Sequence, residues 1–397
     1  MKQIYFMIRA NLLSMGRRVA ISTSMAFSVA LAVCVLVGFL SMAAGFEAVL
    51  NNSGSERVGV VLGGGTTQET GSDISPDTVR SLQAMQLDIG VRRDENRNLI
   101  LSQELVQVVV LPTQAGKTQS TVSLRGMNAV GAQLRDGVQI VQGRMFQEGS
   151  RELAVGQKLA AENPNLAVGN TVRLGAVDWL VVGHYAAGGS IFESEMWAGI
   201  DVIRAAFDRQ GQVQTLRLQL DEPDGLAKLN AVLSNGISNA PLNAVSEAEL
   251  FAGQSSRTVD QIRLFGWPIA ILMAFGAVAG AVNTMMSSVS DRTVEIATVR
   301  ALGFSRLSAF AATWVEALVL AMIGTAVGIL ASWFIFNGWQ ASTLGANNTR
   351  MAFQLVVNGD VMKTVAMFGI SIGLLGGLLP AISAMRIPLI AALRAGS

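Results

Sequence analysis

Four stretches of this chain are long and almost free of charge, and nothing else in the sequence constrains the fold so strongly. Residues 19–46, 264–290 and 364–385 contain no Asp, Glu, Lys or Arg, and residues 307–349 contain only Glu316. A helix needs about 20 apolar residues to cross the hydrocarbon core of a bilayer. Each stretch is long enough. The third is too long for one span, and from Asn337-Gly338 onward it reads as a loop. Transmembrane helices are therefore predicted at 19–45, 264–289, 308–336 and 363–384. The first run follows 18 residues and far exceeds the roughly 7–15 residues of a signal peptide's apolar region. An uncleaved anchor is expected there, although Ser41-Met42-Ala43 resembles a cleavage site.

Composition points the same way. Charged residues are 14% of the 397, against roughly 25% in soluble domains. This excludes a disordered chain, a collagen-like repeat and a strongly basic nucleic-acid binder, so no nucleic-acid partner is expected. The single cysteine, Cys34, rules out an internal disulfide, and with one histidine, His184, a Cys/His zinc site is not expected. There is no serine elbow and no pair of histidines, so neither a catalytic residue nor a metal site is expected. Glu193 and Glu195 read as solvated surface acids. A valine-rich run leading into Gly116-Lys117-Thr118 has Leu111 where a phosphate-binding loop needs its first glycine, which argues against ATP binding here.

Lysine and arginine set the expected orientation. Lys2, Arg9, Arg17 and Arg18 precede the first span, Arg292, Arg300 and Arg306 lie between the second and third, and Arg386 and Arg394 follow the fourth. Both termini and residues 290–307 are thus expected in the cytoplasm. Residues 46–263, with 18 basic and 24 acidic side chains, are expected outside. Residues 337–362 would form a short outer loop and 385–397 a cytoplasmic tail. In 1–18, Ile4, Ile8, Leu12 and Met15 recur at helical spacing, as in an amphipathic helix lying in the membrane interface against lipid.

The outer segment reads as mixed α and β. Strands are expected near 57–62, 104–111, 171–174 and 179–182. Helices are expected near 75–85, 152–161 and 224–233, the first capped by Ser75 with Pro76 at its first position. Residues 254–265 suit a polar stalk leading into the second span. Within the spans, small residues recur four apart, as in Gly276 and Gly280, Gly324 and Gly328, and Gly373 and Gly377. That spacing lets helix backbones approach closely; the plainer alternative is that glycine is common in membrane helices. Glu316 should face protein, since a mid-membrane charge costs about 2.5–3.5 kcal/mol on insertion scales. A hydrogen bond across helices is the favoured reading, and a role in coupling or a proton step is the other.

The most informative segment is 283–306. Asn283, Asp291, Arg292, Glu295, Ile296, Val299, Arg300, Ala301 and Gly303 lie on a short amphipathic helix and its approach, with Gly303 as a natural C-cap. The pattern Asn283, then Arg292-x-x-Glu295-Ile296, then Arg300-Ala301-x-Gly303 resembles the FtsX/MacB family of ABC-transporter permeases. Glu316-Ala317, the glycines at 324 and 328, Gly376-Gly377-Leu378-Leu379-Pro380-Ala381, Pro388 and Ala392-Leu393-Arg394 extend the resemblance. The outer stretches Gly143-Arg144, Glu152-Leu153-Ala154-Val155-Gly156 and Val168-Gly169 resemble the MacB-type periplasmic domain.

The resemblance implies a membrane α-helical protein with four transmembrane helices and a mixed α/β periplasmic domain between helices 1 and 2. It implies a dimer, either of two copies or with a related permease, that binds two copies of an ABC ATPase through 290–307. ATP and Mg would be bound by that ATPase, so this chain is expected to be a non-catalytic subunit without a cofactor. Motion of the outer domain would drive export or extraction of cargo from the bacterial inner membrane or periplasm, with a periplasmic adaptor and an outer-membrane channel as further partners. Because 18 residues precede the first span, the ATPase is expected on a separate chain. Two other readings remain open: an FtsX-like regulator of a cell-wall hydrolase, and an anchored binding protein with no ATPase partner.

Overall fold

A computed structural model describes residues 2–14, 19–111, 120–222, 224–234, 241–344 and 350–388. Met15, Arg17, Arg18, Gly116-Lys117-Thr118 and Ala392-Leu393-Arg394, each weighed above, lie outside the described residues. Two units emerge from the chain. One is helical and comprises Met1–Gly45, Asp260–Trp339 and Gln354–Ser397; the other is an α/β unit of Phe46–Val259 and Gln340–Phe353.

The helices are α1 (Lys2–Ser14), α2 (Val19–Asn51), α3 (Pro76–Ala84), α4 (Ala129–Gln133), α5 (Gln157–Glu162), α6 (Ile200–Ala206), α7 (Gly225–Ser234), α8 (Glu247–Asp291), α9 (Thr293–Ala301), α10 (Arg306–Phe336) and α11 (Gly359–Arg386). Of these, α2, α8, α10 and α11 are long and apolar enough to cross a membrane. They contain the four predicted spans. Helix α8 has 45 residues, or roughly 68 Å at 1.5 Å per residue, more than twice the hydrocarbon core. Its polar first half is the stretch expected as a stalk. The helical core is built from small and β-branched side chains, including Val29 and Val33 of α2, Ala277 and Ala281 of α8, Ala317 and Ala321 of α10, and Val365 of α11. Small residues suit this packing because lipid is as apolar as protein, so close backbone contact supplies the attraction.

The strands of the α/β unit are β1 (Val58–Gly63), β2 (Leu101–Leu111), β3 (Ser120–Met127), β4 (Val138–Gly143), β5 (Glu152–Gly156), β6 (Thr171–Leu174), β7 (Val177–Ala187), β8 (Glu195–Gly199), β9 (Thr215–Gln219) and β10 (Leu242–Ser246). They form one sheet in the order β10-β1-β9-β2-β3-β8-β5-β7-β4, with β6 on β7. Two further strands, β11 (Gln340–Leu344) and β12 (Arg350–Gln354), make a separate two-stranded sheet. In the large sheet β3/β8 and β5/β7 are parallel and the other pairs antiparallel. Ser75 caps α3 by accepting from Thr78 N, with Pro76 at the first position, as predicted. The helix expected at 152–161 is half strand: Glu152–Gly156 is β5 and only Gln157–Glu162 is helical. Leu153, Ala154 and Val155 are fully buried between β7 and β8, so tertiary pairing overrides local propensity.

The sheet carries two cores. Val61, Leu216, Leu218 and Leu229 belong to one lobe, with Leu101 at the start of β2. Leu105, Leu124, Trp179 and Met196 belong to the other. At the seam between them the middle strands carry buried charges instead of apolar side chains. Arg217 (β9), Glu104 (β2), Arg125 (β3) and Glu195 (β8) form a row, joined by Glu69, Arg135 and Glu247. Glu104 is wholly buried and accepts from three arginines: Arg125 at 3.0 Å, Arg135 at 2.9 and 2.7 Å, and Arg217 at 3.0 Å. Phe192 lies under the guanidinium groups, with the Arg135 carbon 4.6 Å from the ring centre, a cation–π arrangement.

Glu193 and Glu195, read above as solvated surface acids, are both buried. Glu195 accepts two bonds of 2.8 Å from Arg125. Glu193 accepts from Ala187 N and Gly189 N and pairs with Lys158 at 3.2 Å. Glu195, at the start of β8, looks solvated in sequence because its partner Arg125 is 70 residues away. His184 sits on β7, its Nε2 donating to Leu166 O at 2.7 Å.

The charge row makes the α/β unit sensitive to acid. Burial raises the Glu69 carboxyl, but the Arg125 and Arg217 guanidiniums outweigh it and hold the group at about 2, below its ordinary 4.5. For Glu104, burial is again the largest effect and is again outweighed, here by Arg135, Arg217 and Arg125. Carboxylates held down in the folded state stabilise it above their ordinary value, and that stability is lost as pH falls toward the folded value. Calorimetry of the full chain should show the α/β transition holding its temperature from pH 7 to about 5 and falling steadily below about 4.5. A transition temperature that stays flat to pH 3 would mean these pairs add nothing.

Candidate functional site

The segment singled out by the sequence lies between α8 and α10. Helix α8 ends at Asp291, Arg292 leaves helical geometry at φ −106° and ψ 9°, and α9 begins at Thr293. Thr293 Oγ1 donates to Ser290 O at 2.7 Å, closing the end of α8. Glu295 lies in the first turn of α9 and Arg300 in the last, each favourable to the helix dipole. The helix stops at Gly303, whose φ of +100° suits only glycine. Ser305 then caps α10 by accepting from Ser308 N.

Burial divides the predicted residues of this segment. Arg292, Ile296 and Arg300 are buried, with Ala297; Val299 is half-buried. Asp291, Glu295, Ala301 and Gly303 are exposed, as are Val294, Thr298 and Leu302. On α9 and its cap the exposed set falls on one helical stripe: Val294 and Glu295, Thr298, then Ala301 and Leu302, with Asp291 exposed at the end of α8. Leu302 is 77% exposed. Ile296 and Ala297 pack on Val289, Ala309, Ala384 and Ile387, with Met7 of α1 beside them. Arg292 and Arg300, grouped above with the segment implied to bind the ATPase, hold α9 down. Arg300 Nη1 donates to Ile387 O at 2.7 Å, just past α11.

Arg292 is the centre of a buried polar node. Its Nη1 donates to Glu316 Oε2 at 2.9 Å, and its Nη2 donates to Asn11 Oδ1 and to Ser14 Oγ at 3.4 Å. Asn11 Nδ2 donates to the same Glu316 oxygen at 2.8 Å. Glu295 lies 3.7 Å from Arg292 Nε. The amide of Asn11 thus answers a cation with its oxygen and an anion with its nitrogen. Three segments meet here: α1, the α8–α9 junction and α10. Glu316, 4% exposed, has its charge paired, so the cost of burying it is offset by Coulomb attraction and hydrogen bonds. Asn11 was not among the residues predicted for this site. Its signal was present: a polar residue seven positions after Ile4, on the same stripe of α1 as Ile8.

The paired glycines differ from one another. A Cβ on Gly328 would lie 2.7 Å from Val33 Cγ1, one on Gly373 2.5 Å from Ala321 Cβ, and one on Gly377 2.6 Å from Ala317 Cβ. Gly324 is backed by the α2 backbone at Ala26. These four sit at close helix contacts. Gly280 meets Ser28 at ordinary distance, Gly276 has nothing within 4 Å, and Asn283 is exposed on α8. Among the described residues, no group of three or more His, Cys, Asp or Glu is arranged to hold a metal.

The chain matches the family model described as FtsX-like permease C-terminal over residues 268–389. It matches the one described as MacB-like periplasmic core domain over residues 22–235. Over 374 residues it is 25% identical to the macrolide export ATP-binding/permease protein MacB of Hahella chejuensis, covering 84% of this chain and 54% of that protein. Over 278 residues it is 27% identical to the uncharacterized ABC transporter permease YknZ of Bacillus subtilis, covering 65% of this chain and 66% of that one. The chain therefore spans about half the length of the first relative. Among solved structures, the periplasmic region of MacB from Actinobacillus actinomycetemcomitans aligns with 53% of this chain and 94% of its own at 10% identity and a TM-score of 0.38.

Proposed function

The chain belongs to the MacB/FtsX family of ABC transporter permeases, and on that premise we propose that it couples ATP hydrolysis by a separate ABC ATPase to movement of its periplasmic domain. The observation that carries this reading is α9. Two buried arginines, Arg292 and Arg300, fasten it to the helical unit, and its other face is an exposed stripe from Val294 to Leu302, beside Asp291 at the end of α8. Val294 and Leu302 supply apolar contact, 42% and 77% exposed; Asp291 and Glu295 supply charge for basic groups on the ATPase. A short helix fastened at its back and exposed at its front suits transmission of force.

The basic residues Arg9, Arg292, Arg300, Arg306 and Arg386 support a cytoplasmic location for α1, α9 and the end of α11 in the inner membrane. Two permease copies would then hold two ATPases, which bind ATP and Mg. The relative from Bacillus subtilis is named as a permease alone, which supports an ATPase on its own chain. The MacB-like core favours cargo export or extraction, with a periplasmic adaptor and an outer-membrane channel as further partners, over control of a cell-wall hydrolase.

Cross-linking tests the docking face. On a Cys34→Ser background, Thr298→Cys, exposed, labelled with benzophenone-4-maleimide, should photo-cross-link to the ATPase by insertion into a C–H bond of the partner. Ala297→Cys, fully buried beside it, should not. Equal cross-linking of both, or of neither, would remove α9 as the contact.

A further inference from the structure

The charge row at the seam of the α/β unit reaches the outer end of α8. Glu247 is the first residue of α8 and is 2% exposed. It pairs with Arg217 of β9 and accepts from Ser55 N at 3.3 Å. Ser55 lies just beyond the outer end of α2. Ser53, beside it, accepts from Ile191 N at 2.8 Å, and the Gly54 backbone packs directly on Ala248 of α8. The outer ends of both long helices are therefore tied to each other and to the sheet.

From Glu247 the contacts continue without a break. Arg217 reaches Glu69 at 2.6 Å and Glu104 at 3.0 Å. Both acids reach Arg125 at 3.0 Å, and Arg125 reaches Glu195 at 2.8 Å. The path crosses β9, β2, β3 and β8 in sheet order and passes from one core to the other.

The backbone at this seam is thin. Strand β2 pairs with β9 over Leu101–Glu104 and with β3 over Leu105–Leu111. No residue of β2 pairs on both sides, and the changeover falls at Glu104. Where a strand changes partners in mid-length, few ladder hydrogen bonds hold the two halves in a fixed relation. Glu104, held by an arginine from each side, supplies that relation through directional bonds. Apolar packing at the same place would allow sliding.

Resting on the permease reading above, we propose that Glu247, Arg217 and Glu104 are positioning residues that pass movement of the outer end of α8 across the seam into the β3–β8 lobe. Glu104 is the pivot and Glu247 the point of entry. The apolar cores on either side move as bodies, and the charge row sets their relative position.

Hydrogen exchange on the full chain in nanodiscs tests this without any ATPase. Glu247→Gln keeps the shape and removes the charge; Glu56→Gln, at an exposed site, is the control. Loss of one charge-assisted bond corresponds to roughly a tenfold or greater rise in exchange where the bond matters. The rise should appear in β3 and β8 as well as in β9, with Glu56→Gln matching wild type. A rise confined to β9 and the first turn of α8, or no rise, overturns the proposal. A second comparison adds the ATPase and a non-hydrolysable ATP analogue. Wild type should change its exchange at 195–199 and Glu247→Gln should not, although it retains the ATPase. The same response in both overturns the joint and leaves the permease reading standing. Failure of any ATPase to associate counts against the permease reading instead, and the first comparison still decides the joint.

Discussion

Glu316→Ala should destabilise the helical unit by about 3–5 kcal/mol, because it strips a buried cation of its counter-charge. Among the described residues, Arg292 would then bond Asn11 and Ser14, with Glu295 at 3.7 Å and largely exposed. Arg292→Ala should cost a similar amount, leaving Glu316 charged among α1, α8 and α10. The double variant Arg292→Met/Glu316→Leu should recover most of that stability, since replacing both members of a buried pair by apolar groups is often neutral. It should not recover coupling. With the node gone, α9 keeps its apolar seat on Val289, Ala309 and Met7 but loses its polar link to Asn11 of α1. ATP turnover would then persist without movement of the periplasmic domain. Denaturation in detergent and ATP-driven distance changes measure the two effects separately. Full recovery of both in the double variant would reduce the node to a structural pair. Glu316→Gln gives a milder version, and normal turnover with normal cargo handling there would point to the same conclusion.

Glu104→Ala should be as damaging in the α/β unit, at about 3–5 kcal/mol. One carboxylate there answers Arg125, Arg135 and Arg217, and its loss leaves three buried guanidiniums sharing Glu69, Glu195 and Glu247. Glu104→Gln should cost less, since the amide oxygen still accepts. The measurement is a urea transition followed by hydrogen exchange in β2. A loss below about 1 kcal/mol for Glu104→Ala would mean that water or a neighbouring acid replaces the group, and the seam would not be a joint.

How much of this was legible in the sequence varied with the range of the interactions. The four spans follow from hydropathy alone, because a bilayer imposes one rule on every residue of a helix. The α3 cap was legible because Ser75, Pro76 and Thr78 are neighbours. Strand β5 was misread as helix because its burial depends on β7 and β8. The charge row was not legible at all. Its bonded members lie from 21 residues apart, as in Glu104 and Arg125, to 148 apart, as in Glu69 and Arg217, and each looks like a surface charge in its own stretch. At the α8–α10 connection the family pattern marked the stretch that folds as α9 but said nothing of which faces are buried. Arg292 and Arg300 are polar in sequence, yet they point inward because Glu316 and the Ile387 carbonyl await them. Asn11 could have been found as the polar residue on the apolar stripe of α1.

The central claim is that this permease works through an ATPase seated on α9. It is tested most directly by purifying the intact chain from membranes and asking what comes with it, for wild type and for Val294→Glu/Leu302→Glu. Both substituted side chains are exposed, so the variant should fold as wild type does. An ABC ATPase should co-purify with wild type and fall at least about tenfold in the variant, the effect of roughly 1.4 kcal/mol or more lost from the interface. Retention of the ATPase by the variant would move the contact off α9, and no ATPase with the wild-type chain would contradict the account at its base.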